Sequence, residues 1–140
     1  MTSMKHRKPI VLIVDDDVAF AESNRDLLEA YGYQVHVAHT GSEGLSVARE
    51  IHPDVMILDV MMATDTEGFE IARKIPESVE LAGMGVLLVT GVTTALHLPG
   101  TLKPDDTWLP VDRILDKPIA PARLIAEVDR LLASRGRKSA

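Results

Sequence analysis

Cysteine is absent from all 140 residues. That absence excludes disulfides, thiolate chemistry and cysteine-based zinc sites, while saying little about compartment. Long apolar runs are missing too, and none approaches the ~18 residues of a membrane-spanning helix. The opening MTSMKHRKPIVLIVDDD is basic and then apolar, in the manner of a signal peptide. Its apolar part, Ile10 to Val14, is too short for the hydrophobic region of one. The expectation is a soluble chain without membrane association, in the cytoplasm. Internal repeats and low-complexity segments are also lacking.

Basic charge is scarce where it would matter for nucleic acid. Lys5, Arg7, Lys8, Arg135, Arg137 and Lys138 lie in two tails that hold no acids. Residues 9–134 therefore carry 9 bases against 21 acids, a net charge of −12. Such a body repels phosphate backbones, so no nucleic-acid partner is expected. With 46% apolar residues, the chain has enough for one well-formed core. The expected organisation is a flexible basic tail at 1–8, one domain at 9–134 and a second flexible basic tail at 135–140.

What the chain does contain is a regular alternation. The runs PIVLIV (9–14), DVMIL (54–58), GVLLV (85–89) and RIL (113–115) are apolar almost throughout. Short runs without polar alternation read as strands of a parallel sheet buried on both faces. YQVHVA (33–38) alternates instead, which suits an edge strand. Helical spacing fills the gaps at 18–32, 40–51, 67–75 and 120–136, punctuated by Gly32, Pro53 and Pro76. This order predicts an α/β domain with a doubly wound five-stranded parallel sheet. One region departs: 90–114 contains Pro99, Pro104 and Pro110, so an atypical short helix near 92–98 and a long loop ordered by Trp108 and Leu109 are expected.

Polar residues gather at one edge of such a sheet. Asp15 and Asp16 follow the first strand, Asp59 ends the third, Thr90 the fourth, and Lys117 closes the fifth. Open α/β sheets place ligands at this carboxyl edge. Clustered carboxylates demand a cation, and a few hard oxygen ligands with room for water and a phosphate suit Mg²⁺. A lysine and a threonine hydroxyl are what phosphoryl chemistry would add. Elsewhere ordinary roles are expected. Asp65, Asp105, Asp106 and Asp112 read as solvated turn residues. His36, His39, His52 and His97 lack metal-site spacing and read as structural or exposed.

In this order, IVDDD, PDVMILDVMM, VLLVTG and ILDKPI resemble the receiver domain of two-component response regulators, the fold of the chemotaxis regulator. The resemblance spans about 9–134 and implies a flavodoxin-like strand order 2-1-3-4-5. It implies that Asp59 is the phosphoacceptor, in a Mg²⁺-dependent reaction with a histidine kinase or phosphotransfer protein. Asp16, Asp59 and the backbone carbonyl of Met61 would hold the metal directly, with Asp15 reaching it through water. Lys117 and Thr90 would bind the phosphoryl group, and Lys117–Pro118 is a candidate cis bond. Asp17 falls outside the acidic pair and suits the start of a helix. The implied product is not an enzyme in the ordinary sense. It is a single-domain response regulator signalling to a partner in trans.

Departures from the family carry expectations of their own. Ala63 replaces the usual proline, and Gly68 comes one residue late, so the loop after Asp59 is longer. Ile114 occupies the position of an aromatic switch residue, so the switch is weaker or draws on Trp108. The proline-rich 90–117 segment implies a non-standard signalling face, without the common dimer. Met61 and Val92 cannot hydrogen-bond an attacking water, which predicts slow dephosphorylation. Two other readings compete. One is a pseudo-receiver that binds partners without phosphorylation. The other is a haloacid-dehalogenase-like phosphohydrolase using Asp15 and Asp17, for which only Glu127 and Asp129 offer the later acidic pair.

Overall fold

The structure is a computed structural model that describes residues 8–59, 67–81, 83–90 and 111–139. Its elements run β1 (Ile10–Val14), α1 (Val18–Ala30), β2 (Gln34–Ala38), α2 (Gly41–Ile51), β3 (Val55–Asp59), α3 (Glu67–Lys74), two 3-10 turns, β4 (Gly85–Thr90), β5 (Arg113–Asp116) and α4 (Pro121–Ser139). All strand pairs are parallel, in the order β2-β1-β3-β4-β5. This is the doubly wound, flavodoxin-like arrangement.

The apolar runs take central places because both faces of their strands are covered. Val11 and Ile13 face a cluster with Ala21 and Leu28 of α1 and with Leu124 and Val128 of α4. Their neighbours Leu12 and Val14 face the opposite cluster, with Leu45 and Ala48 of α2 and Ile71 and Ala72 of α3. Burying each such side chain stabilises the fold by about 1.5–3 kcal/mol. β2 is an edge strand, as its alternation predicts. β5 differs from its reading as a doubly buried strand: it forms the other edge, and within it only Leu115 is buried.

Helix boundaries follow local chemistry. Asp17 caps α1 by accepting from the Phe20 N–H at 3.1 Å, and Thr40 caps α2 by accepting from the Glu43 N–H at 3.1 Å. Gly32 takes φ +96° after α1, and His52 takes φ +50° at the end of α2. α4 runs on through Ser139, beyond the end near 136 that its apolar face predicts.

The amino edge of the sheet has its own fastening. Asp54 and Asp112, each just before a strand, accept the N–H groups of Ile10 and Val86, both at 2.7 Å. Asp112 is therefore more than a solvated turn residue: although exposed, its carboxylate ties β5 to β4. No helix among the described residues is long and apolar enough to cross a membrane. The tail at 1–7, the lengthened loop with Met61, Met62 and Ala63, and the proline-rich segment with Val92 and Trp108 lie outside the described residues.

Candidate functional site

Parallel pairing brings the strand ends together. Asp59 is the last residue of β3, opposite Val89, and Thr90 ends β4 opposite Asp116. The chain turns sharply after β5, where the Lys117 N–H donates to the Thr90 carbonyl at 2.9 Å. The Lys117–Pro118 bond is cis. Asp15, Asp59 and Thr90 are buried, whereas Asp16 is exposed at the mouth. Ile114, three residues before the lysine, is half-buried beside Leu88 on β4.

Oxygen atoms of Asp15, Asp16 and Asp59 all lie within 4.8 Å of one another. Lys117 Nζ reaches between two of them, 3.5 Å from Asp59 Oδ1 and 3.7 Å from Asp15 Oδ2. One ammonium faces three carboxylates, so the cluster keeps an excess of negative charge. Asp15 Oδ1 accepts from the Asp17 N–H at 2.9 Å, but its buried Oδ2 has no hydrogen-bond partner among the described residues. Burial pushes the Asp15 carboxyl from 3.8 up to about 6. The Asp17 N–H and Lys117 oppose that rise, and the neighbouring Asp59 adds to it. A buried oxygen without a donor, within a surplus of carboxylates, fits a small divalent cation.

The structure thus gathers Asp15, Asp16, Asp59, Thr90 and Lys117 at one edge, while Met61 lies outside the described residues. Asp17 is spent on capping α1. Glu127 is likewise occupied: buried on α4, it takes Arg113 at 2.9 Å, Arg123 at 3.1 Å and Arg130 at 3.5 Å. Neither belongs to the acidic cluster, which takes Asp17 and Glu127 away from a phosphohydrolase reading.

Two contributors to the site, and the pairing of one buried acid outside it, escaped sequence reasoning. The Phe20 ring lies under the lysine, with Lys117 Nζ 4.3 Å from its centroid, and helps hold the ammonium. His39 bonds the backbone at Asp15 through its ring, Nδ1 to carbonyl oxygen 3.0 Å. Helical spacing could have flagged the third, Glu127, because Arg123 and Arg130 stand four residues before and three after it. No local pattern signals the other two.

Comparison with known proteins agrees with this geometry. The family model described as the response regulator receiver domain matches residues 11–129. The response regulator MprA of Mycobacterium tuberculosis is 36% identical over 127 residues, covering 87% of this chain and 50% of the relative. MprA of Mycobacterium avium is 33% identical over 123 residues, with the same coverage. The chain spans about half the length of these curated relatives. A CheY-like receiver domain protein from Methanospirillum hungatei superposes with TM-score 0.77 at 26% identity, covering 94% of this chain and 99% of that one. The chemotaxis response regulator CheY4 of Vibrio cholerae gives 0.74 at 26% identity, covering 90% and 100%.

Proposed function

Since the chain belongs to the response regulator receiver domain family, we propose that it accepts a phosphoryl group on Asp59 in a Mg²⁺-dependent reaction. The donor is a histidine kinase or a phosphotransfer protein, and the phosphorylated form acts in the cytoplasm by binding a partner in trans. The observation that carries this reading is the buried Asp59 at the end of β3, with Lys117 at 3.5 Å and the Asp15–Asp16 pair beside it.

The chemistry follows from these groups. Asp16 and Asp59 would supply the cation's direct oxygen ligands, with Asp15 reaching it through water and the Met61 carbonyl as the further ligand that the family resemblance implies. When bound, Mg²⁺ neutralises charge on the carboxylates and on phosphoryl oxygens. An Asp59 carboxylate oxygen attacks phosphorus and forms the acyl phosphate, while the bond from phosphorus to the donor breaks. The donor leaves with the electron pair and takes up a proton. Lys117 exchanges its carboxylate contact for a phosphoryl oxygen, and the Thr90 hydroxyl bonds another. The domain catalyses only its own phosphorylation and slow dephosphorylation. With Met61 and Val92 unable to orient water, a phosphoryl half-life of many minutes is expected, and hydrolysis within seconds would contradict it.

The test is intact-mass spectrometry after incubation with acetyl phosphate and Mg²⁺. One added phosphoryl group is expected, absent without Mg²⁺ and absent in Asp59→Asn. A folded protein that gains none would be a pseudo-receiver, binding partners independently of phosphorylation.

A further inference from the structure

The loop that presents the acidic pair is held from the β2–α2 turn. Thr40 accepts from the Glu43 N–H, and Glu43 Oε1 in return accepts from the His39 N–H at 2.7 Å. This reciprocal cap anchors the His39 backbone at the start of α2. The Asp15 N–H donates to the Ala38 carbonyl at 2.9 Å, and the His39 ring meets the Asp15 carbonyl at 3.0 Å through Nδ1. A carbonyl oxygen only accepts, so Nδ1 must carry the hydrogen.

That carbonyl belongs to the peptide joining Asp15 to Asp16. A peptide unit is rigid and planar, so holding its oxygen sets its plane and the direction in which the chain leaves it. Asp15 is also fastened through its carboxylate to the Asp17 N–H. Asp16, exposed at the mouth of the cluster, takes its direction from this backbone. Groups that orient metal ligands normally matter to affinity although they never touch the metal.

We propose that His39, as its Nδ1–H tautomer, is a positioning residue for the divalent-cation site, clamping the Asp15–Asp16 peptide so that Asp16 points at the cation. The inference rests on the receiver reading of the acidic cluster, and concerns a residue which that reading does not use. Asparagine can place a side-chain N–H close to the position of Nδ1. Glutamine, one carbon longer, remains polar but carries its donor past the carbonyl.

Mg²⁺ titrations followed by NMR of the backbone amides, at one fixed pH, test this on the parent, His39→Ala, His39→Gln and His39→Asn. The dissociation constant should rise about three- to tenfold in the alanine and glutamine variants. In the asparagine variant it should return to within about twofold of the parent. A purely structural histidine would lower melting temperatures without this pattern of affinities. Should alanine fail to fold, glutamine carries the comparison. Parent-like affinity in alanine or glutamine, or asparagine as weak as alanine, overturns the proposal. If the parent itself shows no Mg²⁺-dependent shifts, the receiver reading fails and this inference falls with it. A parent that binds Mg²⁺ and is phosphorylated, beside variants of equal affinity, defeats this inference alone.

Discussion

Asp15 illustrates a conflict between stability and function in one side chain. Its folded pKa of about 6 lies above the ordinary 3.8, so the metal-free fold binds this proton more tightly than the unfolded chain does. For this group, metal-free stability is therefore greatest below 3.8, declines as pH rises towards 6, and stays at the lower level above. Asp15→Asn removes the charge while keeping an oxygen for the Asp17 N–H. The expected result is a metal-free protein more stable at neutral pH by about 1–3 kcal/mol, with Mg²⁺ affinity weakened about tenfold or more. Urea unfolding with chelator, beside a Mg²⁺ titration, measures both. No change, or a loss, in metal-free stability would show that Asp15 is not strained. The strand-end position of Asp15 is legible in IVDDD, but its unsatisfied Oδ2 is not, since its neighbours Ala38, Asp59 and Lys117 lie far along the chain.

Helices register the site through their packing. A Cβ on Gly44 would lie 2.8 and 2.9 Å from the two γ-methyls of Val14, a stiff side chain at the end of β1. Gly44→Ala should therefore lower stability by about 1–2 kcal/mol, the clash outweighing the gain in helix propensity. Thermal unfolding checks this, and a rise in melting temperature would show that α2 shifts freely. At the other side of the sheet, Glu127 locks α4 to β5 through Arg113. Burial alone would raise its carboxyl, but hydrogen bonds from Arg113 and Arg123, with the charge of Arg130, hold it below the ordinary 4.5. Its contribution is complete above 4.5 and vanishes as pH falls through the lower folded value. Because the three arginines are 40–60% exposed, Glu127→Ala should cost only about 1–3 kcal/mol near neutral pH. The loss should shrink in acid, and a pH-independent difference in urea midpoints would contradict the ion-pair account. The amphipathic pattern of 120–136 foretold α4, yet not that one of its acids is buried.

For the whole molecule, a cation that binds only the folded state should stabilise it. At ten times the dissociation constant, Mg²⁺ should add about 1.4 kcal/mol, a melting shift of several degrees. Asp16→Asn, at an exposed position, should leave the metal-free melting temperature nearly unchanged and abolish the shift. A shift that persists in that variant would place the metal elsewhere. Much of the architecture was readable along the chain: apolar runs at 9–14, 54–58 and 85–89 became the three inner strands, and Gly32 and Pro53 marked the helix ends. Element order and the strand-end positions of Asp15, Asp59, Thr90 and Lys117 needed only local composition, because strand and helix periodicity is written in neighbouring residues. Which acids are buried, which are paired and which gather in one cluster was decided only by folding. Asp54 meets Ile10 44 residues away, Asp112 meets Val86 26 away, and His39 meets Asp15 24 away. Desolvation and hydrogen-bond partners come from residues that only sheet pairing and helix packing bring into contact, so no local pattern could carry them.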